Sequence, residues 1–325
     1  MSLLSPSIAP ASEHVARPPW QAYAAMIFGL ICIATSGIFV RWAGLPGPVA
    51  AFYRTLIAAS ALAIPFGLRA RQIQWSRRSL AIVAAAGVLF ACDMGLWNTA
   101  VQYTSVGNAV LLGNTAPIWV GLGAILLYRE RLRRNFWLGL ALALSGAAII
   151  LGADALRSPS LNLGNLLSLL VSLFYAAYML ITQRGRARFD ALSYFWLTTV
   201  VSLITLFFMT RLFQQSLVVP AATFPFLLGM GLVTHIGGWL SVNYAQGHLP
   251  ASLVSPTMLG QPVVAALLAF VLLGEALTLL QVVGGAVVLL GISWCIGHGV
   301  TCKHTSSSSS GVCCWPERRF SGTMW

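Results

Sequence analysis

Charge is what this sequence has least of. Asp, Glu, Lys and Arg together make up 8% of its 325 residues, against about 25% in an ordinary soluble domain. A water-soluble fold of this length cannot clothe its surface with so few charges. Recognisable enzyme signatures are missing too. There is no Gly-x-x-x-x-Gly-Lys phosphate loop, no His-Glu-x-x-His and no Gly-x-Ser-x-Gly. That removes the familiar nucleotide-hydrolysing, zinc-protease and serine-hydrolase readings, and nothing calls for a cofactor. The six cysteines have no zinc-site spacing with histidine and form no disulfide framework. Cys32, Cys92 and Cys295 fall inside apolar stretches and read as small packing residues. The N-terminus lacks the cationic start and apolar core of a cleavable signal peptide.

What is present is apolar. Hydrophobic residues make up 58% of the chain, gathered in uncharged runs of roughly 20 residues, the length that crosses a bilayer as a helix. Ten such spans are predicted, at roughly 21–41, 48–68, 79–101, 105–128, 135–153, 162–182, 191–211, 223–244, 252–273 and 277–297. Residues 1–20 read as a disordered leader. Residues 298–325, with five consecutive serines from Ser306 to Ser310, read as a disordered tail.

The net charge of +12 raises nucleic acid as a partner, and the positions of the arginines dismiss it. Arg17, Arg69, Arg71, Arg77, Arg78, Arg129, Arg131, Arg133, Arg134, Arg184, Arg186, Arg188, Lys303, Arg318 and Arg319 all fall on one side of the expected topology. The other side holds Arg41, Arg157 and Arg211, and Arg54 lies within a span. Cationic loops stay in the cytoplasm, so both termini are expected there, in a multi-pass protein of a bacterial inner membrane.

The chain also repeats itself. Asn98, Ala100, Pro117, Glu130, Gly139 and Gly146 recur 145 positions later as Asn243, Ala245, Pro262, Glu275, Gly284 and Gly291, with no gap. A fixed offset marks a duplicated structural unit. The copies are residues 21–153 and 162–297, five spans each. An odd number of spans makes the second copy start from the opposite side of the membrane. Inverted repeats of this kind recur in secondary transporters, with the substrate at the repeat interface.

The segment Ala51-Phe52-Tyr53-Arg54-Thr55-Leu56-Ile57-Ala58-Ala59 resembles the second-helix motif of the EamA family, within the drug/metabolite transporter superfamily. So does the series Asn98-x-Ala-x-Gln-Tyr103, Pro117, Arg129-Glu130, Gly139 and Gly146, whose second copy ends in Gly274-Glu275. The resemblance covers about residues 21–297. It implies an all-α integral membrane protein of ten helices, two inverted five-helix bundles around a central cavity, exporting small metabolites or drugs.

Few residues inside the spans ionise: Arg54, Asp93 and His235. Charge in hydrocarbon is costly, so each is a functional candidate. At about 1.5 Å per residue, Arg54 and Asp93 reach similar depths and can face each other. Two roles stay open: a structural ion pair, or an Asp93 that borders a cavity and meets a cationic substrate or a proton. His235 maps by the offset to Phe90, one turn before Asp93, and its ordinary titration range suits proton exchange. Trp97 and Trp239 follow Asp93 and His235 by four residues each and are expected as cavity walls. Asn165, Ser168, Ser172, Tyr175 and Met179 share one face of the sixth span, with Ser172 and Tyr175 expected at substrate. Pro117 and Pro262 are expected to kink the interiors of the fourth and ninth spans as gating joints. Asn114 and Gln261 are placed beside them, and Asn98 and Asn243 as structural partners of that gate. Glu130 reads as a loop-ordering residue.

The expected activity is therefore secondary transport, the export of amino acids or related zwitterions, or of apolar or aromatic drugs. The partners are the substrate, the bilayer and protons, in a monomer or homodimer. An exchanger of phosphorylated metabolites is the runner-up. No Lys or Arg occurs between Arg211 and Lys303, so the last three spans offer a phosphate no side-chain cation. A membrane enzyme or channel is a third possibility, without a catalytic cluster or a ring of like groups to carry it.

Overall fold

The computed structural model describes residues 19–73, 75–104, 106–151, 163–274 and 276–298. Nearly all of the expected leader and tail, the Asp154–Pro159 connection and Glu275 lie outside the described residues.

Ten helices are long and apolar enough to cross a membrane: Trp20–Val40, Gly47–Arg69, Arg77–Trp97, Ala109–Tyr128, Arg134–Leu151, Leu163–Arg186, Ala191–Leu212, Ala221–Gln246, Ala251–Leu272 and Leu279–Gly297. Their ends agree with the hydropathy reading to about one helical turn. Local chemistry sets several of them. Pro48 stands in the first turn of the second span, where its missing N–H costs nothing. Ser76 caps the third span by accepting from Ser79 N at 3.1 Å, and the Asp190 carboxylate caps the seventh from Ser193 N at 3.1 Å. The fourth span stops where Arg129 turns left-handed, with φ 55°. The offset partner of Arg129 is Gly274, which ends the ninth span at φ 67°.

Burial runs opposite to a soluble protein. Leu68, Ile64, Leu126 and Val271 are more than 70% exposed around the outside, whereas Arg54, Thr199, Ser202, Thr234, His235, Asn243 and Gln246 are buried. Apolar surface facing outward and polar groups turned inside are what a lipid solvent demands.

Contacts between spans map onto themselves under the 145-residue offset. The third span packs on the sixth as the eighth does on the first, and the third on the seventh as the eighth on the second. The second and seventh meet each other, as do the fifth and tenth. Connections after even-numbered spans gather at one end: Arg69 Nη1 lies 3.6 Å from Asp190 Oδ2, and Ser252 Oγ donates to Glu130 Oε2 at 2.5 Å. The Glu130 bond ties the connection after the fourth span to the first turn of the ninth, in line with the ordering role expected of it. The other end is tied by Tyr53 OH donating to Leu217 O at 2.6 Å and by Thr104 Oγ1 donating to Asn165 Oδ1 at 2.6 Å.

The fifth and tenth spans form a second hydrophobic cluster around Phe136, Leu140, Ala143, Val288 and Ile292, joined by Leu259 of the ninth span. They cross on glycines. A Cβ on Gly139 would stand 2.8 Å from Gly291 O, and one on Gly146 would stand 2.7 Å from Gly284 O. Under the offset these two approaches are the same contact seen from each half.

The helices are not simple rods. Pro117 and Pro262 do not interrupt helix interiors as expected. The fourth span is a short helix, Val106–Gly113, then a turn at Asn114 and Thr115, then Ala116–Tyr128. The ninth is Ala251–Met258, a turn at Leu259 and Gly260, then Gln261–Leu273. Each proline opens the second piece, because the first turn of a helix needs no N–H from it. The discontinuity therefore falls just before the proline, and Asn114 sits in it. The eighth span departs further. It is π-helical from Met230 to Leu240, between Phe224–Gly229 and Ser241–Gln246. Its counterpart, the third span, is α-helical from Arg77 to Tyr103.

Candidate functional site

Arg54, Asp93 and His235, far apart in sequence, converge where the two halves meet. Arg54, on the second span, is 8% exposed, and its Nη2 donates to Met94 Sδ at 2.9 Å. Asp93 and Arg54 are near enough for their charges to interact. Among the described residues, however, the ion pair within 4.0 Å is Arg69–Asp190, not these two. The charge of Asp93 also reaches Tyr175 and Tyr178, and that of Arg54 reaches His235.

Rings fill the space beside these charges. Phe90 stacks on Tyr178 with centroids 4.5 Å apart, and the edge of Trp239 meets it at 4.9 Å. Tyr175 and Tyr178 meet Trp239 edge-on at 5.9 and 6.1 Å. His235 lies between Phe90, at 5.9 Å, and Phe195, at 5.2 Å. Phe90 and His235 are offset counterparts, so the two halves touch here through equivalent positions. The π turn begins five residues before His235 and ends one after Trp239; π segments inside helices concentrate at functional positions.

Hydrogen bonding hangs on the same side chains. His235 Nε2 is 3.3 Å from Thr199 Oγ1. Asn243 Nδ2 donates to Tyr178 OH at 3.0 Å and to Trp239 O at 2.9 Å. The buried polar atoms without a partner include Arg54 Nε, Tyr175 OH, His235 Nδ1 and Asn243 Oδ1. Nearly all buried polar groups in folded proteins are satisfied; among the described residues four of the ten such atoms fall in this cluster, and the others include both amide atoms of Gln246 and the hydroxyls of Ser193 and Ser255.

The remaining expected residues divide. Ser172 accepts from Thr115 Oγ1 and Trp119 Nε1, both at 3.0 Å, and donates to Leu169 O at 2.7 Å. Its capacity is spent tying the sixth span to the fourth. Asn114 Nδ2 is buried and unpaired in the turn of the fourth span. Gln261 Nε2 reaches only Met258 Sδ, at 3.8 Å, which is local. Trp97 is half-buried and joins none of the ring contacts among the described residues. The side chain of Asn98 lies outside the described set. Asn243 also offers its backbone carbonyl to Arg186 Nε at 2.8 Å, while Arg186 Nη1 donates to Phe189 O. This guanidinium ties the end of the sixth span to the eighth and to the connection that follows the sixth.

Sequence reasoning missed Phe90 and Tyr178 as members of the cluster, and it missed Phe195 and Thr199, which back His235 from the seventh span. A signal existed for two of them, since Phe90 is the offset counterpart of His235 and Thr199 that of Arg54. Tyr178 and Phe195 look like any buried aromatic until the spans are assembled.

Both halves, residues 20–152 and 162–296, match the EamA-like transporter family. The chain is 27% identical to the uncharacterized transporter YwfM of Bacillus subtilis, over 74% of this chain and 81% of that one. It is 30% identical to a probable terminal-alkyne amino-acid exporter of Streptantibioticus cattleyicolor, over 74% and 80% respectively. A solved protein structure superposes with a TM-score of 0.69 at 18% identity, covering 84% of this chain and 96% of the other, so the two share a fold.

Proposed function

We propose the following role for this chain, which belongs to the EamA-like transporter family through both of its halves: it is a secondary transporter that exports small zwitterionic or aromatic metabolites by alternating access. The observation that carries this reading is the cluster itself. The ionisable residues inside the spans, an aromatic enclosure, four orphaned polar atoms and the π turn all meet where the two repeats touch. Binding at the repeat interface, beside discontinuous helices, is how transporters built from inverted repeats work. The offset and the alternation of connections support reading these halves as inverted. Two repeats in unlike conformations, one with a π-helical member, can exchange those conformations and so move the opening from one face to the other.

In this reading Asp93, Tyr175, His235 and Trp239 face the substrate. The turns at Asn114 and before Gln261, each followed by its proline, are the joints of the gate. Touching rings at the centre are the closed stage of the cycle, and His235 and Asp93 are the groups available to a coupling proton. The relative named as a probable amino-acid exporter supports the zwitterionic class.

Counterflow in proteoliposomes against a panel of labelled amino acids and aromatic cations, with and without a pH gradient, tests this. Saturable exchange of a panel member is expected, and wild-type flux no greater than in protein-free vesicles would sink it. The topology has its own check. Reporter fusions in the Asp154–Pro159 connection should report a non-cytoplasmic location and fusions at Arg184–Arg188 a cytoplasmic one. Both on the same side would contradict the ten-span alternation and the inverted repeat with it.

A further inference from the structure

The cluster holds a buried cation whose anion is not supplied by direct contact. Arg54 is buried within the second span. Its Nη2 rests on a thioether sulfur, and its Nε has no hydrogen-bond partner. Removing a guanidinium from water costs several kcal/mol unless charge and hydrogen bonds compensate it. Asp93 supplies field but not contact, since among the described residues the ion pair within 4.0 Å is elsewhere. A weakly accepting sulfur is a poor match for the planar fork of an arginine, which is shaped for carboxylate. The orphaned atoms are of both signs: Arg54 Nε and Tyr175 OH donate, and Asn243 Oδ1 accepts.

We propose that Arg54 is the carboxylate receptor of the transported molecule and that Asp93, on the neighbouring third span, receives its ammonium group. A zwitterion set between these residues gives each charge an opposite partner at once. Its side chain then lies against Phe90, one helical turn before Asp93 on the third span, and against the Tyr175, Tyr178 and Trp239 rings gathered with it. This assignment rests on the transport reading above and narrows it. A free amino acid fits, whereas an amine without a carboxylate leaves Arg54 uncompensated. The offset counterparts carry the same logic. Thr199 and Gly238 occupy in the second half the positions of Arg54 and Asp93 in the first. One half thus contributes both charges, and the substrate has one orientation rather than two.

The test compares ligands that differ only in the carboxylate: phenylalanine with phenethylamine, tyrosine with tyramine, and leucine with 3-methylbutylamine. Affinity is read by calorimetry on the purified full chain, with the melting temperature as the check on folding. In the wild type at least one amino acid should bind tenfold or more tightly than its amine. In Arg54→Gln that preference should vanish, because the amino acid loses the partner of its carboxylate and the amine loses a repelling cation. Asp93→Asn should weaken phenylalanine and phenethylamine together while sparing 3-phenylpropionate. A folded Arg54→Gln protein that keeps the preference overturns the assignment. So does a wild type that binds each amine as well as its amino acid, a comparison that stands even if Arg54→Gln does not fold. Binding of none of the three amino acids overturns it too. Counterflow of other metabolites would still uphold the transport reading in that case, so the two failures are distinguishable.

Discussion

Gly291→Val is expected to yield little or no folded protein. The tenth span crosses the fifth at this residue, and a Cβ there would stand 2.7 Å from Gly139 O and closer still to Ala143 N. Both obstacles are backbone, so no rotamer change relieves them. The helices must separate, and separation strips the cluster that Phe136, Leu140, Val288 and Ile292 form between them. Inside a bilayer no hydrophobic effect draws the helices back together; close packing of small residues is what holds them. Overpacking a well-filled core costs about 1–3 kcal/mol when side chains can yield. Against rigid backbone the expected cost is more than about 3 kcal/mol, at the destabilising extreme for point substitutions. Gly291→Ala should already lower the melting temperature of the detergent-solubilised protein, because the first carbon makes the clash. Gly67→Ala is the control, with nothing within 4 Å of its added Cβ. It should be neutral or slightly stabilising, since glycine within a helix carries an entropic cost relative to alanine. An unchanged melting temperature in Gly291→Val would mean that the fifth and tenth spans do not cross at backbone distance.

Much of this architecture was legible in the sequence because the relevant signals are long. Ten apolar runs and a gapless offset survive any uncertainty about local propensity, and they gave the spans to about one turn. The same offset marked Gly139, Gly146, Gly284 and Gly291 as landmarks before their packing role was visible. Shorter-range features were read less well. Proline chemistry pointed to Pro117 and Pro262, but the turn falls at Asn114–Thr115 and Leu259–Gly260, because a proline is accommodated best at the start of the next helix. The π winding of the eighth span had no signature, since the residue spacing over Met230–Leu240 does not separate a π from an α winding. Ser172 shows the limit of face arguments. Its side of the sixth span is buried, as expected, yet its hydroxyl serves Thr115 and Trp119 rather than standing free. Which residues share a face is written in the spacing. Which of their hydrogen bonds are already taken depends on neighbours that arrive from spans more than 50 residues away in sequence.

Trp239→Ala is expected to remove transport out of proportion to its effect on the fold. The indole is 7% exposed and meets Phe90, Tyr175 and Tyr178 edge-on. Truncating a buried tryptophan to alanine costs about 3–5 kcal/mol through lost contacts and the cavity left behind, so some fall in melting temperature is certain under any reading. Function separates the readings. If the indole is a wall of the substrate site, counterflow per folded molecule should drop at least tenfold, about 1.4 kcal/mol of lost interaction at 25 °C, measured well below the lowered melting temperature. Trp239→Phe keeps an aromatic edge against Phe90 and should retain most of the flux with altered preference among aromatic substrates. Phe195→Ala is the matched comparison. That ring is 1% exposed and packs on His235 at 5.2 Å. Its removal leaves a cavity of the same kind beside His235, apart from the contacts that Trp239 makes with Phe90, Tyr175 and Tyr178. Phe195→Ala should therefore lose stability while keeping flux per folded molecule within a few-fold of wild type. Equal flux losses in the two variants would reduce Trp239 to core packing. A large loss in Trp239→Ala alone, with rescue by phenylalanine, would tie transport to the ring enclosure at the junction of the two halves.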